Sequence, residues 1–360
     1  MIHLSVARAR SFVSVLRSRA VGPAAERSLV HSTIGQATVL PFAKSTSLAM
    51  RVAYPLCAVA VAACTASSDE VRPPTDQLFF PTGVALTPDE SSLAVANANS
   101  ELRYDSGTLS LLDLALVDTV TNDWLTSQIV PDGCKRDPLS PATLECDEAR
   151  FIRTDGGVRL GNFATSIATQ AFANGAYRFI VPVRGDPSVT WVDGNGPALT
   201  CSADGVPFAL CDDAHRLTTI QDNDTNGVLI EEPFGVYADS MAGYAVVAHL
   251  TTGALTLLDS QGGAPTQIAD VVTGLFGADS SGLRGATAVA GRTPGNPNGL
   301  IYAVARSEDR VQMLTVGRQA GSPAPFLLPT GYFFLDAVGG TSGGSSDSRG
   351  LAFSNNGDRM

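Results

Sequence analysis

After residue 79 the chain alternates apolar and polar positions in short runs bounded by Gly, Asn, Asp and Pro. A period of two residues marks half-buried strands, and no stretch beyond Cys64 sustains the 3.6-residue period expected of a helix. The runs also recur in a fixed order. "FPTGVALTPDESSLAVANAN" with "GTLSLLDL" (80–99 and 107–114) is echoed by "EPFGVYADSMAGYAVVAHL" with "TGALTLLDS" (232–250 and 252–260). "NFATSIATQAFANGAYRFIVPV" with "PSVTWVDG" (162–183 and 187–194) keeps the same order, as does "RGATAVAGRTPGNPNGLIYAVARS" with "DRVQMLTV" (284–307 and 309–316). Each unit predicts an apolar strand, a polar turn, a second apolar strand, a short turn and a third strand.

These units resemble the YVTN or lactonase-like β-propeller repeats, and the resemblance covers most of residues 80–360. It implies an all-β fold in which each unit is one twisted four-stranded blade that buries its faces only by packing on neighbouring blades. A β-sandwich is the alternative, but it leaves unexplained the recurrent proline or arginine, then glycine, before each first strand. The blades are placed at about 79–150, 151–231, 232–282 and 283–345, with a partial unit at 346–360. "LAFSNNGDRM" (351–360) aligns without a gap to "VALTPDESSL" (84–93). The expectation is therefore four blades plus the start of a fifth, a truncated form of a ring that typically holds about 4 to 8.

The start of the chain is unlike the rest. "MRVAYPLCAVAVAACTASSDE" (50–70) holds an uncharged run from Val52 to Ala63, too short to span a bilayer as a helix but fitting the apolar core of a signal peptide with Arg51 before it. Val61-Ala62-Ala63-Cys64 resembles a bacterial lipobox, which implies that Cys64 is lipidated and becomes the new N-terminus. An ordinary secretory signal cut after Ala63 is the alternative. Residues 1–49 are rich in arginine and serine and nearly free of acid, as in a mitochondrial transit peptide, but a lipobox has no place behind one. We read 1–49 as an N-terminal extension from a start assigned too early, 50–63 as the lipoprotein signal, 64–78 as a polar tether and 79–360 as the propeller. Thr65 after the cysteine implies the outer membrane of a bacterial cell envelope, by the enterobacterial sorting rule.

Charge narrows the partners. Of 24 basic and 35 acidic residues, seven and one lie in residues 1–63, which leaves 17 against 34 in the body. A body this acidic is a poor match for the phosphates of nucleic acid. With 44% hydrophobic residues the chain has ample material for a core.

Four cysteines follow Cys64 in two close pairs, Cys134 with Cys146 and Cys201 with Cys211. In an exported chain an even count in local pairs reads as disulfides. Four cysteines allow three connectivities, and the local one needs the least assumption. It would staple the long insertions of the first two repeats, each bridge contributing roughly 3 kcal/mol by loop closure. Such loops on a rigid scaffold are a candidate binding surface. A zinc site is the competitor, but no CxxC spacing occurs and only His215 lies near a pair.

The candidate chemistry is sparse. Asp222, Asp224 and Asn226 are spaced alternately before Gly227, as at the start of a calcium loop, but the twelfth position, where a bidentate glutamate belongs, is Pro233. An Asp/Asn-rich turn explains them as well. Arg184-Gly185-Asp186 matches an adhesive tripeptide but falls at a turn between blade strands. His249 is the one histidine placed to face a propeller channel as base or ligand; a structural strand histidine is the alternative. Asp113, Asp193 and Asp259 end equivalent strands and read as turn caps, and Trp191 as core. No nucleophile elbow, phosphate loop or dinucleotide fingerprint occurs. The sequence thus favours a noncatalytic propeller, held to the membrane by a lipid anchor, that binds a protein or polymer and needs no cofactor unless calcium fills the 222–226 loop. The alternative is a propeller enzyme of the lactonase or quinoprotein-dehydrogenase type.

Overall fold

The computed structural model describes the backbone of residues 2–5 and residues 71–204, 206–219, 228–292, 299–318, 324–335, 348–354, 357, 359 and 360. Strand β1 (Ile2–Ser5) stands apart from the repeats. The first sheet is built from β2 (Pro81–Leu86), β3 (Ser92–Asn97) and β4 (Gly107–Asp113). An insertion follows, made of helix α1 (Leu114–Ser127) and a hairpin of β5 (Cys134–Arg136) and β6 (Thr143–Cys146), and β7 (Val158–Leu160) then returns to complete the order β2-β3-β4-β7. β1 pairs antiparallel with β6.

The second sheet holds β8 (Ala168–Ala171), β9 (Ala176–Val183) and β10 (Ser188–Asn195), and its outer strand is split into β11 (Ala198–Thr200) and β12 (Arg216–Thr218). The third runs β13 (Pro233–Asp239), β14 (Tyr244–His249), β15 (Leu255–Asp259) and β16 (Gln267–Val272). The fourth runs β17 (Ala286–Gly291), β18 (Ile301–Ala305), β19 (Arg310–Arg318) and β20 (Pro325–Phe334). All four are antiparallel meanders whose first strands face their neighbours, the blade arrangement that the repeats predict.

Alternation sends each strand's side chains to two opposite faces, so the second and third sheets bury one face on the sheet before and the other on the sheet after, while the first and fourth each pack one face on a neighbouring blade. Ala94, Ala96, Leu109 and Leu111 of the first sheet meet Phe179, Val181, Val183 and Val192 of the second. Ile180, Val189 and Trp191 on the other side of the second meet Ala245, Val247 and Leu258 of the third. Val246, Leu255 and Leu257 then meet Ala303, Ala305 and Leu314 of the fourth. Leu351 and Phe353 cover Tyr302, Val304 and Val311 on the far side of the fourth sheet.

Three features depart from the sequence reading. Helix α1 was not expected, because its Thr- and Asp-bearing sequence buries only Val120 and Trp124 and so shows a weak stripe. Asp113 starts it by accepting from the amides of Ala115 (3.0 Å) and Leu116 (3.2 Å), an N-cap that satisfies donors left over by the first turn. The fourth strand of the first sheet lies at 158–160, so that blade extends past residue 150. Residues 71–78 are not all free tether: Val71 accepts from the amide of Asp105 (2.8 Å), Pro73 is buried, and Leu78 packs on the first sheet.

Both local disulfides are formed, Cys134 to Cys146 and Cys201 to Cys211. The second one staples a loop that packs in part on the first sheet, with Phe208 and Ala209 buried and Val206 and Leu210 exposed. Its Ala209 accepts from the amide of Arg159 (2.9 Å) and its Cys211 donates back to the Arg159 carbonyl (3.0 Å), so the loop lies along the edge of β7. Phe208 lies against Gly157, where a Cβ would collide with the ring. Cys201 and Cys211 are themselves buried between the first two sheets.

Candidate functional site

One end of the sheets carries the connections into each first strand and the turns between second and third strands. Every first strand is entered the same way. Phe80, Phe163, Glu232 and Gly285 immediately precede or lead into the four first strands, and all four are left-handed, with φ of 52°, 61°, 50° and 64°. This conformation costs about 1–2 kcal/mol for a residue with a Cβ, so three non-glycine occurrences at equivalent positions need compensation.

Main-chain hydrogen bonds supply part of it and tie sheet to sheet. The amide of Ala98 donates to Phe80, that of Phe163 to Ala98 and that of Arg184 to Phe163; likewise Leu250 donates to Glu232, Gly285 to Leu250 and Arg306 to Gly285. Side chains extend the belt. Asn99 donates to Asn162 (2.7 Å) between the first and second sheets, and Arg184 bridges to Glu232 (2.8 Å) between the second and third. The other oxygen of Glu232 accepts from the Thr251 hydroxyl (2.7 Å). Burial pushes the Glu232 carboxyl up, but the Arg184 guanidinium and the Thr251 hydroxyl outweigh it and hold the group below its ordinary value. Sequence reasoning assigned Glu232 no role. Its place just before a first strand is the signal that marks it.

The Arg184-Gly185-Asp186 tripeptide belongs to this belt. Arg184 is taken by Glu232, Asp186 accepts from Arg216, and the Phe163 ring sits where a Cβ on residue 185 would go. Both charged ends are therefore paired within the fold, and the tripeptide serves as a turn.

His249 closes β14 and is fully buried. Its Nδ1 lies 3.0 Å from the Glu231 carbonyl and its Nε2 2.8 Å from the Thr256 hydroxyl. A carbonyl only accepts, so Nδ1 carries the proton and Nε2 accepts from Thr256. Burial pulls the ring down to about 4, which keeps it neutral near pH 7. The repeat-equivalent residue in the first sheet is Asn97, which donates to Thr108 (2.9 Å) and Ser110 (3.2 Å) and accepts from the Phe79 amide (3.2 Å). The histidine thus occupies a pin position that an asparagine fills elsewhere in the same chain.

The remaining candidates are scattered. His215 pairs with Asp212 (2.7 Å), and the nearby thiols are consumed by the Cys201–Cys211 bridge. Among the described residues no three His, Cys, Asp or Glu side chains gather as a metal site. Cys64 and the calcium candidates Asp222, Asp224 and Asn226 lie outside the described residues. The three strand-ending aspartates have separate tasks: Asp113 caps α1 and pairs with Arg153 (2.7 Å), Asp259 accepts from Gln261 (3.0 Å), and Asp193 holds Arg178.

No family model matches the chain, and no curated protein does. Solved structures do resemble it. A functionally unknown protein from Desulfotomaculum acetoxidans is 14% identical, with 71% of this chain and 56% of that one covered and a TM-score of 0.41. The Cps50 (Swd1) β-propeller domain from Myceliophteria thermophila is 9% identical over 62% of this chain and 50% of that one, TM-score 0.33. A candidate 6-phosphogluconolactonase from Bacteroides uniformis is 15% identical over 71% and 72%, TM-score 0.34. The chain spans 56% and 50% of the length of the first two. At these identities the likeness concerns the path of the chain and not its chemistry.

Arg178 is the feature that sequence reasoning missed. It is buried between the second and third sheets, with its guanidinium on both oxygens of Asp193 (2.7 and 3.0 Å) and on the hydroxyls of Ser260 (3.3 Å) and Thr266 (3.0 Å). Its face also lies over the rings of Phe172 (5.6 Å) and Trp191 (5.8 Å). Gln170 accepts from Ser260 (2.7 Å) and donates to the Asp239 carbonyl (3.1 Å), which completes a polar link between the two sheets.

Proposed function

We propose that the chain is a lipid-anchored β-propeller of the bacterial cell envelope, acting as a noncatalytic binding or scaffold protein for a protein or polymer ligand. In this reading Cys64 carries the lipid in the outer membrane, residues 80–345 form four blades, and residues 346–360 open a fifth. The binding face is the belt end, and calcium would be held by Asp222, Asp224 and Asn226.

The observation that supports a noncatalytic role is the state of His249. A base or metal ligand needs a free ring nitrogen, and both of its nitrogens are engaged inside the sheet. The belt supports binding instead, because strained residues locked by ion pairs and main-chain bonds give a preorganised surface.

The test uses protein extracted with detergent from its source membranes. Its intact mass is expected to show an acylated Cys64, and its hydrolysis of sugar lactones is expected to match the buffer rate with or without divalent metal. Metal-dependent hydrolysis that disappears in His249→Asn would establish the lactonase-type reading instead. An unmodified N-terminus upstream of Cys64 would remove the lipid anchor.

A further inference from the structure

Among the described residues, the face of the first sheet that points away from the second has no blade packed on it, yet its outer part is buried. Leu93, Val95 and Leu112 line it, and the repeat places them at the positions of Ala245, Val247 and Leu258 in the third sheet. In the third sheet those positions are covered by Ile180, Val189 and Trp191 of the preceding sheet. In the first they are covered by the chain's own insertion, through Val120 and Trp124 of α1, Leu144 and Cys146 of the stapled hairpin, and Phe151 and Ile152. Leu78, at the end of the entry segment, packs in the same cluster.

The cover is partial. On the innermost strand the equivalent pairs are Val84 with Val236 and Leu86 with Ala238. Val236 and Ala238 pack in the interface with the preceding sheet, whereas Val84 and Leu86 are 44% and 41% exposed. The insertion therefore fills the outer half of a blade-sized contact and leaves the inner strip bare.

We infer that the disulfide-stapled insertion of the first blade is a surrogate for a preceding blade, which makes the start of the propeller self-capped and leaves the seam beside β2 open. A whole blade and the insertion compete for Leu93, Val95 and Leu112, so a closing blade cannot pack there in the way the internal blades pack on one another. The bridge between Cys134 and Cys146 holds the cap as one body, and Leu78 brings the entry chain to the same corner.

Trp124 reports the cap directly, because the chain has only one other tryptophan, Trp191. In the full-length native protein carrying Trp191→Phe, Trp124 is expected to emit in the blue and to resist acrylamide. In the same protein carrying Val84→Cys, maleimide is expected to label residue 84, located by peptide mass, at a rate within about threefold of that in denaturant. A closing blade over the strip would demand local opening and slow labelling by on the order of a hundredfold. Shielded Trp124 together with a reactive thiol at 84 supports the surrogate blade. A readily quenched, red-emitting Trp124 in the folded protein, or a protected thiol at 84, overturns it. Neither reading depends on a ligand or on the lipid anchor.

Discussion

The Arg178–Asp193 pair is asymmetric, and the asymmetry makes a sharp prediction. The Arg178 side chain is 2% exposed while that of Asp193 is 39% exposed. Removing the arginine leaves a carboxylate that water can reach, but removing the carboxylate charge leaves a guanidinium that cannot deprotonate in the interior. A buried charge stripped of its partner costs about 3–5 kcal/mol. Asp193→Asn keeps an acceptor but not the charge, and the hydroxyls of Ser260 and Thr266 with the two rings offset part of the loss, so about 3 kcal/mol is expected. Arg178→Met fills the volume with an unbranched apolar chain and frees Asp193 to rehydrate, for about 1–2 kcal/mol. The double variant should be closer to wild type than Asp193→Asn alone. Urea unfolding followed by tryptophan emission reads this interface, since the guanidinium lies over Trp191. An Arg178→Met variant that is less stable than Asp193→Asn by 1 kcal/mol or more would refute the reasoning.

Four further outcomes follow from named contacts. Gly157→Ala should displace Phe208 and cost roughly 1–3 kcal/mol by overpacking, with increased proteolysis between Cys201 and Cys211 and partial rescue by Phe208→Ala. Replacing Cys201 and Cys211 together by serine should lower the unfolding free energy by about 2–4 kcal/mol in calorimetry or urea, as loss of a native bridge does. His249 is held neutral with its ring pulled down from 6.5 to about 4, so the unfolded chain binds its proton first as pH falls. Stability from this group is complete above pH 6.5 and declines toward pH 4 by roughly 1.4 kcal/mol per unit, and His249→Asn should remove that slope in unfolding measured across the window. The Glu232 carboxyl is also lowered, so its stabilisation is present above the ordinary glutamate value and lost as pH falls through the depressed one; Glu232→Gln should flatten the acid limb of the same curve.

The sheets were legible in the sequence because four units repeat the same order of short apolar runs between turn residues, and the central strands, such as Tyr244–His249, are buried on both faces and so read as continuous apolar runs. The close spacing of Cys134 with Cys146 and Cys201 with Cys211 likewise announced local bridges. Features made by contact between distant segments were not legible. Nothing in "VPFALC" says that Phe208 will lie against Gly157 of another blade, and nothing in "AYRFIVPV" says that Arg178 finds its partner 15 residues on and two hydroxyls in the next sheet. Helix α1 escaped because a cap of this kind needs only two buried side chains, too few to impress a period on the sequence. His249 looked chemical because residue type was visible and its engagement with Glu231 and Thr256 was not.

The left-handed residues before the first strands connect this architecture to binding. Glycine would relieve the strain at each, and Gly285 shows that the chain accepts it there. The other three keep side chains that the belt uses: Arg103 lies over the ring of Phe80 at 5.6 Å, Phe163 backs the turn at Gly185, and Glu232 holds Arg184 and Thr251. Each strained position therefore secures a neighbouring turn of the same end, and Glu232 does so across a sheet boundary. Strain that is retained where a relaxed residue fits points to a surface whose shape matters. A scaffold of stacked sheets would hold together through its apolar interfaces alone. The belt adds fixed positions for the loops at one end, a feature that the proposed binding role would use.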